Sequence, residues 1–534
     1  MKKINGLISP ILLSMFPTLA IFTYNMDQLG ISRLFIPLFY SIFFAIISFS
    51  IIKLIFVEDK KTSFITSVWI LLFFSYGYIY LKLGDSSLAN YLPISLNLFL
   101  ILFNGIFLFL IGILIIKIKH FPSEFSKFIN IIAISLVILN LIQIIPFEIK
   151  SYLASRKIQE YLSTNVSNID SSNISLGMRP DIYYVIFDRY GREDILQEYF
   201  NFDNNAELVS LENKGFWVGK DSIANYPNTY LSLSSSLNMD YLYSLENLIG
   251  KNHKDRNVVY ENLIQDNLVA RFLKQNGYEF DLVGSFWDGT KRSDFADKNI
   301  NLFSDFDEFH LYIYERTLLN VFRGIFESKQ IYSGVERLNL ISLNLDYRLD
   351  RMIAKNDDPP KFVFAHFLIP HEPNTFSTSC KPLTFDEIRK QSPMEGYLVE
   401  LNCANLIMEK LIVAIRSNSD RPSVVIFQSD EGPYLPQEYF NEGGETAILP
   451  NNTDSYKIHT RIFNSIYMPD KDVWNEPVDY KKLGFTDGMS PVNTFRMIFN
   501  YYFKTNLPIL DNRAFIFNNV EAPYEFTEIT EEVN

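Results

Sequence analysis

Five long apolar runs crowd the first 150 residues, and nothing like them recurs in the remaining sequence. They lie at about Leu7–Thr23, Leu34–Val57, Phe64–Leu81, Leu92–Ile116 and Phe128–Phe147. Each approaches the ~20 apolar residues that a helix needs to cross a bilayer. The first run follows Met1-Lys2-Lys3 and shares the outline of a signal peptide. No clear cleavage motif follows, so it is read as a retained helix. Lys2, Lys3, Lys53, Lys60, Lys61, Lys117, Lys119 and Lys127 fall on one side of such a bundle, and only Arg33 and Lys82 on the other. Basic loops stay cytoplasmic. Five crossings then put everything after residue 150 outside the cytoplasm; four crossings would put it inside.

Charge divides the chain at the same place. The first 150 residues hold 11 Lys+Arg and 6 Asp+Glu, a balance of +5; the whole chain is −13, so the rest carries −18. That excludes a nucleic-acid footprint, which must be basic. The expected organisation is a transmembrane domain over 1–149, a juxtamembrane linker over 150–179 and a polar domain over 180–534; within the linker, Ser151–Leu162 suits a continued surface helix and Asn165–Leu176 is the Ser- and Asn-rich part. The only cysteines are Cys380 and Cys403, both in the polar domain. A disulfide and a pair of buried thiols are both open readings.

Three short apolar runs in the polar domain end on residues that handle protons or metals. Asp181–Phe187 ends at Asp188, Phe362–Ala365 leads into His366, and Ser423–Phe427 leads to Asp430-Glu431-Gly432. Such runs, alternating with helical patterns at Asn257–Asn276 and Gly396–Asn418, predict an α/β domain with a central, mainly parallel sheet. Ligands of such sheets bind at the carboxyl ends of strands. A lone Asp there is more often a helix cap or turn residue. Several gathered at one edge repel unless a proton or cation lies between them, and oxygen ligands suit hard divalent cations. The segment Asn225–Asn238 contains Pro227 and then a hydroxyl-rich run, the pattern of a helix start. A hydroxyl such as Thr229 in that dipole field is either a cap or a nucleophile. His366 and His371 lie five residues apart on a Pro-bounded loop, an arrangement that can aim two imidazoles at a ligand.

These motifs, with Ser429-Asp430-Glu431-Gly432-Pro433 and Ser490–Arg496, stand in an order that resembles the alkaline-phosphatase/sulfatase superfamily over residues 178–505. The resemblance is nearest to membrane-anchored envelope proteins, the lipoteichoic acid synthases and phosphoethanolamine transferases. It implies a divalent metal held by Asp188, Thr229, Asp430 and Glu431, with Thr229 as nucleophile and His366 and His371 contacting substrate. His459, near Arg461, is a further candidate for the metal or an anionic substrate. The implied reaction moves a phospho-group of phosphoglycerol or phosphoethanolamine type between lipid-linked or polysaccharide envelope substrates. The family pattern Ser-Asp-His-Gly reads Ser-Asp-Glu-Gly here, which favours Mn or Mg over Zn or Ca and also motivates a non-catalytic binding or scaffold role. No Cys/Ser-x-Pro-x-Arg signature occurs near Thr229, so sulfate-ester hydrolysis is not expected. Ser490–Arg496 is expected to pack the end of the domain.

Overall fold

The computed structural model describes residues 6–84, 86, 91–169, 179–302, 308–322, 344–353, 359–418, 421–435, 453–474, 476–517, 519 and 521–534. The chain forms two compact units: Met1–Tyr152 with Ser304–Ser333, and Leu153–Phe303 with Gly334–Asn534.

The first unit is built on α1 (Ile8–Tyr24), α2 (Ser32–Lys53), α3 (Asp59–Gly84), α4 (Leu96–Lys117) and the first part of α5 (Ser123–Asn168). Four of these, α2 to α5, are long and apolar enough to cross a membrane by length and composition, and α1 is a shorter apolar helix. Their apolar surface is largely uncovered: in α4, Phe103, Ile106, Phe109 and Leu110 are all more than half exposed. Side chains of that kind need a hydrocarbon solvent. Helix contacts inside the unit use small hydroxyls, with Ser9 and Ser63 3.1 Å apart and Thr18 and Ser41 3.2 Å apart. α5 runs on to Asn168, through Ser151–Leu162 and into the Ser- and Asn-rich segment, of which 170–176 lies outside the described residues. The unit also takes in a later part of the chain. The helix Glu308–Arg316 packs Phe309 and Ile313 with Leu19, Phe22 and Val137. A Cβ on Gly77 would meet the Glu315 carbonyl oxygen at 1.8 Å, so only glycine allows that approach.

The second unit holds a seven-stranded sheet of order β2-β7-β6-β1-β5-β3-β4. Its members are β1 (Asp181–Phe187), β2 (Trp217–Val218), β3 (Glu279–Val283), β4 (Lys298–Ile300), β5 (Lys361–Phe367), β6 (Ser423–Gln428) and β7 (Asn464–Tyr467). β6, β1, β5, β3 and β4 are parallel, whereas β7 and β2 join antiparallel at one edge. This is the expected mainly parallel sheet. Every residue of β1 and β5 is buried, because both faces are covered. Ile182, Tyr184 and Ile186 enter one core with the helices Thr229–Asn238, Leu268–Gln275 and Thr494–Phe503. Tyr183, Val185 and Phe187 enter another with the helix Pro393–Asn418. Arg496, in the segment expected to pack the domain end, donates to the carbonyls of Met239 and Pro508, both at 2.7 Å.

The register positions the functional residues. Ile186 of β1 lies opposite His366 of β5 on one side and Gln428 of β6 on the other. Asp188 and Asp430 each follow two residues beyond those pairs. Three neighbouring strands therefore deliver their chemistry to one point at their carboxyl ends.

Candidate metal centre

Asp188, His366 and Asp430 are fully buried, and one ligand atom from each lies within 4.8 Å of the others. His366 Nε2 stands 3.4 Å from Asp188 Oδ2. Among the described residues, Asp188 Oδ1, Asp430 Oδ2 and His366 Nε2 have no hydrogen-bond partner. Buried polar atoms in folded proteins are almost always satisfied, so one unpartnered atom on each of three clustered residues marks a place built for something else. The electrostatics agree. Burial raises the Asp188 carboxyl, and burial followed by the Asp188 charge raises Asp430 to about 7. Burial lowers His366 to about 4. Two carboxylates that would rather be neutral and an imidazole that refuses a proton fit a cation. Two carboxylates and one imidazole form a set that both Zn and Mn accept.

The residues around this group fix its orientation. Thr290 Oγ1 is 2.9 Å from His366 Nδ1 and 2.9 Å from Ser285 Oγ. Engaging Nδ1 leaves Nε2 to face the carboxylates. Arg348 donates through Nη2 to the backbone carbonyl of His366 and to that of Val283 (3.4 Å), tying the ends of β5 and β3 together. Its burial lowers the guanidinium to about 9. On the other side, Tyr190 N donates to Ser429 Oγ at 2.8 Å, which joins the turn after β1 to the loop after β6. Gly432 is required there: a Cβ would meet the Ile458 carbonyl oxygen at 1.9 Å.

Thr229 is the first residue of the helix Thr229–Asn238, and its side chain favours the charged form of the Asp430 carboxyl, against the push of burial. The helix start read from the sequence therefore lies beside the carboxylate group. His371 is half-buried beside the Asp188 charge, and burial lowers it to about 4. Its Nδ1 contacts the Glu372 carbonyl oxygen. A carbonyl only accepts, so Nδ1 carries the proton and Nε2 presents a lone pair.

Two expected residues stand apart. Glu431 lies outside the convergent group. Its Oε1 accepts from Arg189 Nε at 3.0 Å, with the side chain 3% exposed. Burial pushes the Glu431 carboxyl upward, Asp430 and Asp188 add to that push, and Arg189 opposes it. His459 is buried on the helix Thr453–Thr460, with its ring 4.4 Å from that of Tyr434 and Nδ1 unpartnered. Arg461 binds Asp194 at 2.6 Å and the Val533 carbonyl at 3.0 Å. Sequence reasoning missed Arg189, Ser285, Thr290 and Arg348. Only Arg189, adjacent to Asp188 at a strand end, carries a local signal.

No curated protein matches the sequence. Solved structures similar to this chain include the C-terminal periplasmic domain of EcEptC from Escherichia coli in complex with Zn, at 13% identity over 63% of this chain and 84% of that one, TM-score 0.38. The integral membrane lipooligosaccharide phosphoethanolamine transferase A of Neisseria meningitidis is 14% identical over 93% of this chain and 94% of its own, TM-score 0.36. A protein in the alkaline phosphatase superfamily from Vibrio parahaemolyticus is 11% identical over 68% and 82%, TM-score 0.36. The model of the Sulfatase family matches residues 180–463, more than half of the 534, and the chain belongs to that family.

Proposed function

We propose that this protein is a metal-dependent phosphotransferase or phosphodiesterase that modifies a lipid-linked or polysaccharide component of the cell envelope, with Thr229 as nucleophile. The observation that carries the reading is the set of three orphaned ligand atoms on Asp188, Asp430 and His366, set beside the Thr229 hydroxyl at a helix start. Asp188, Asp430 and His366 would hold the cation, and Thr229 lies next to them. When bound, the cation would lower the hydroxyl pKa and balance charge on the phosphoryl group. Glu431 is left out of the ligand set because it is engaged by Arg189. With a nitrogen ligand in its place, the chemical case for Mn or Mg over Zn lapses, and the divalent cation is proposed without rank.

The chain's own residues divide the work. Asp430 lies beside Thr229, and the helix start favours negative charge at the Thr229 oxygen. Attack by the Thr229 oxygen forms a new P–O bond as the bond to the donor's oxygen breaks, and the proton lost by Thr229 ends on that departing oxygen, leaving phospho-Thr229 and a released alcohol. An acceptor hydroxyl, or water, then attacks the phosphorus and regenerates Thr229. The His371 Nε2 lone pair takes the acceptor's proton. Buried walls restrict competing water.

The location belongs to the same proposal. A multi-pass unit in the cell membrane holds the site near lipid-linked substrates. The lysine bias of the loops favours an extracytoplasmic second unit, and so does the Cys380–Cys403 disulfide.

The test uses full-length, detergent-solubilised protein with Mn, a chromogenic phosphodiester and a glycerophospholipid. Turnover by the wild type, loss on Thr229→Ala and a phosphorylated Thr229 peptide are the expected results. Equal inactivity of both proteins across a broad donor panel would leave the binding or scaffold reading in its place.

A further inference from the structure

Arg189 sits directly after the buried Asp188, yet nothing in the mechanism above uses it. Its backbone is unusual: φ is 64°, in the left-handed region. That conformation is strained for a residue other than glycine. Asn201, Met239 and Lys504 share the property at the carboxyl ends of helices, and Cys380 shares it in a turn away from the site. Arg189 closes a strand at the candidate site. The turn is held in place from outside: Tyr397 Oη donates to the Arg189 carbonyl at 2.9 Å and accepts from Gly191 N at 3.2 Å. Strain held this firmly at a site is a reason to look for function.

The side chain is aimed rather than merely paired. The guanidinium lies 3.5 Å over the Tyr434 ring. Only Nε reaches Glu431, at 3.0 Å, whereas a guanidinium and a carboxylate pair best through two parallel bonds. Among the described residues, the two terminal nitrogens have no hydrogen bond, and the side chain is 16% exposed. A cavity of about 20 Å³ adjoins it, lined by Arg189, Tyr434, Tyr397, Phe200, Pro370 and Glu372. Space of that size suits one oxygen atom. The charges also balance: where the family pattern has a neutral histidine, Glu431 adds one acid and Arg189 matches it with one cation.

We propose that Arg189 receives an anionic oxygen of the phosphate-ester substrate, with Glu431 acting as the tether that aims it. This rests on the reading that the site transfers a phosphoryl group. A guanidinium with its terminal edge free is suited to phosphate oxygens.

The test is calorimetry on the full-length protein, titrated first with Mn and then, Mn-loaded, with inorganic phosphate. Arg189→Gly suits the left-handed backbone and so keeps the fold. It is expected to weaken phosphate at least tenfold while Mn affinity stays within threefold. Arg189→Lys should recover part of the loss. Glu431→Gln, which can still accept from Nε, should keep phosphate binding within threefold. Unchanged phosphate affinity in Arg189→Gly overturns the proposal. Parallel loss of Mn and phosphate also overturns it, and makes the pair a structural part of the metal centre. A wild type that binds Mn but no phosphate removes the role of Arg189 and leaves the metal centre standing. A wild type that binds neither removes both.

Discussion

Two buried carboxylate sites in the second unit are built in opposite ways. Glu400, on the helix Pro393–Asn418, is fully served: Oε1 accepts from Thr375 N and from Phe376 N (3.1 Å), and Oε2 accepts from Asn374 Nδ2 at 3.2 Å. It anchors the chain just beyond the His371 loop. Asp188 and Asp430 are as deeply buried, but among the described residues each keeps an oxygen with no partner. Both sites pay for desolvation, and only one recovers it within the protein. A satisfied buried acid stabilises a loop, whereas an unsatisfied cluster stores unfavourable energy that a cation can release.

The contrast can be broken by mutation. Asp188→Asn has the largest expected effect: Mn binding by calorimetry should disappear, while the metal-free protein should melt at a higher temperature because one repelling charge has gone. A lower melting temperature would show that the cluster stabilises the apo fold. Thr229→Ala should reduce turnover by about a thousandfold or more, judged against the contribution of an activated nucleophile. Its melting temperature and Mn binding should change little. Thr290→Val removes the hydrogen bond to His366 Nδ1 and should weaken Mn by about 10–100-fold, the usual effect of losing a partner that orients a ligand. Glu400→Ala should do the reverse of Asp188→Asn. It should cost about 1–3 kcal/mol of stability by denaturant titration, from the donors left unpaired, with Mn affinity unchanged.

The smallest and most diagnostic effect is in pH. Asp430 rises to about 7 in the fold, above its ordinary value of 3.8, so the folded state holds that proton more tightly. Its stabilising contribution is complete below about pH 4 and is lost as pH climbs toward 7. His366 works the other way. It falls from 6.5 to about 4, so its contribution grows as pH rises through that window. Glu400, raised to about 8, adds a decline that Asp430→Asn leaves in place. The difference between wild type and Asp430→Asn should therefore isolate a loss of apo stability between pH 4 and 7. Mn affinity should weaken as pH falls through 7, because protons compete for the same oxygens. A pH-independent difference between the two proteins would remove Asp430 from this account.

Much of the fold was legible because local pattern reports local structure. Continuous apolar runs gave the membrane helices, and short ones gave β1, β5 and β6. Their last residues, Asp188, His366 and Asp430, were readable as chemistry because strands of a parallel sheet end at one edge. Thr229 was readable from Pro227 and the hydroxyl run that follows it. The strands β2, β4 and β7 were not, since two to four residues carry too little pattern. Nor was the placement of Phe309 and Ile313 with the first unit, because their sequence neighbours belong to the second.

The amino-acid sequence by itself determined that an apolar helical unit is joined to an acidic, mainly parallel α/β unit, and which residues stand at its strand ends. The tertiary structure decided how those residues are spent. His366 faces Asp188, because the β1–β5 register sets it opposite Ile186. Glu431 pairs with Arg189, 242 residues away in the chain. The physical reason is range. Hydrophobic periodicity acts over a few residues and is written in order along the chain, whereas the partner of a buried charge is whichever group the packed fold brings within about 3 Å.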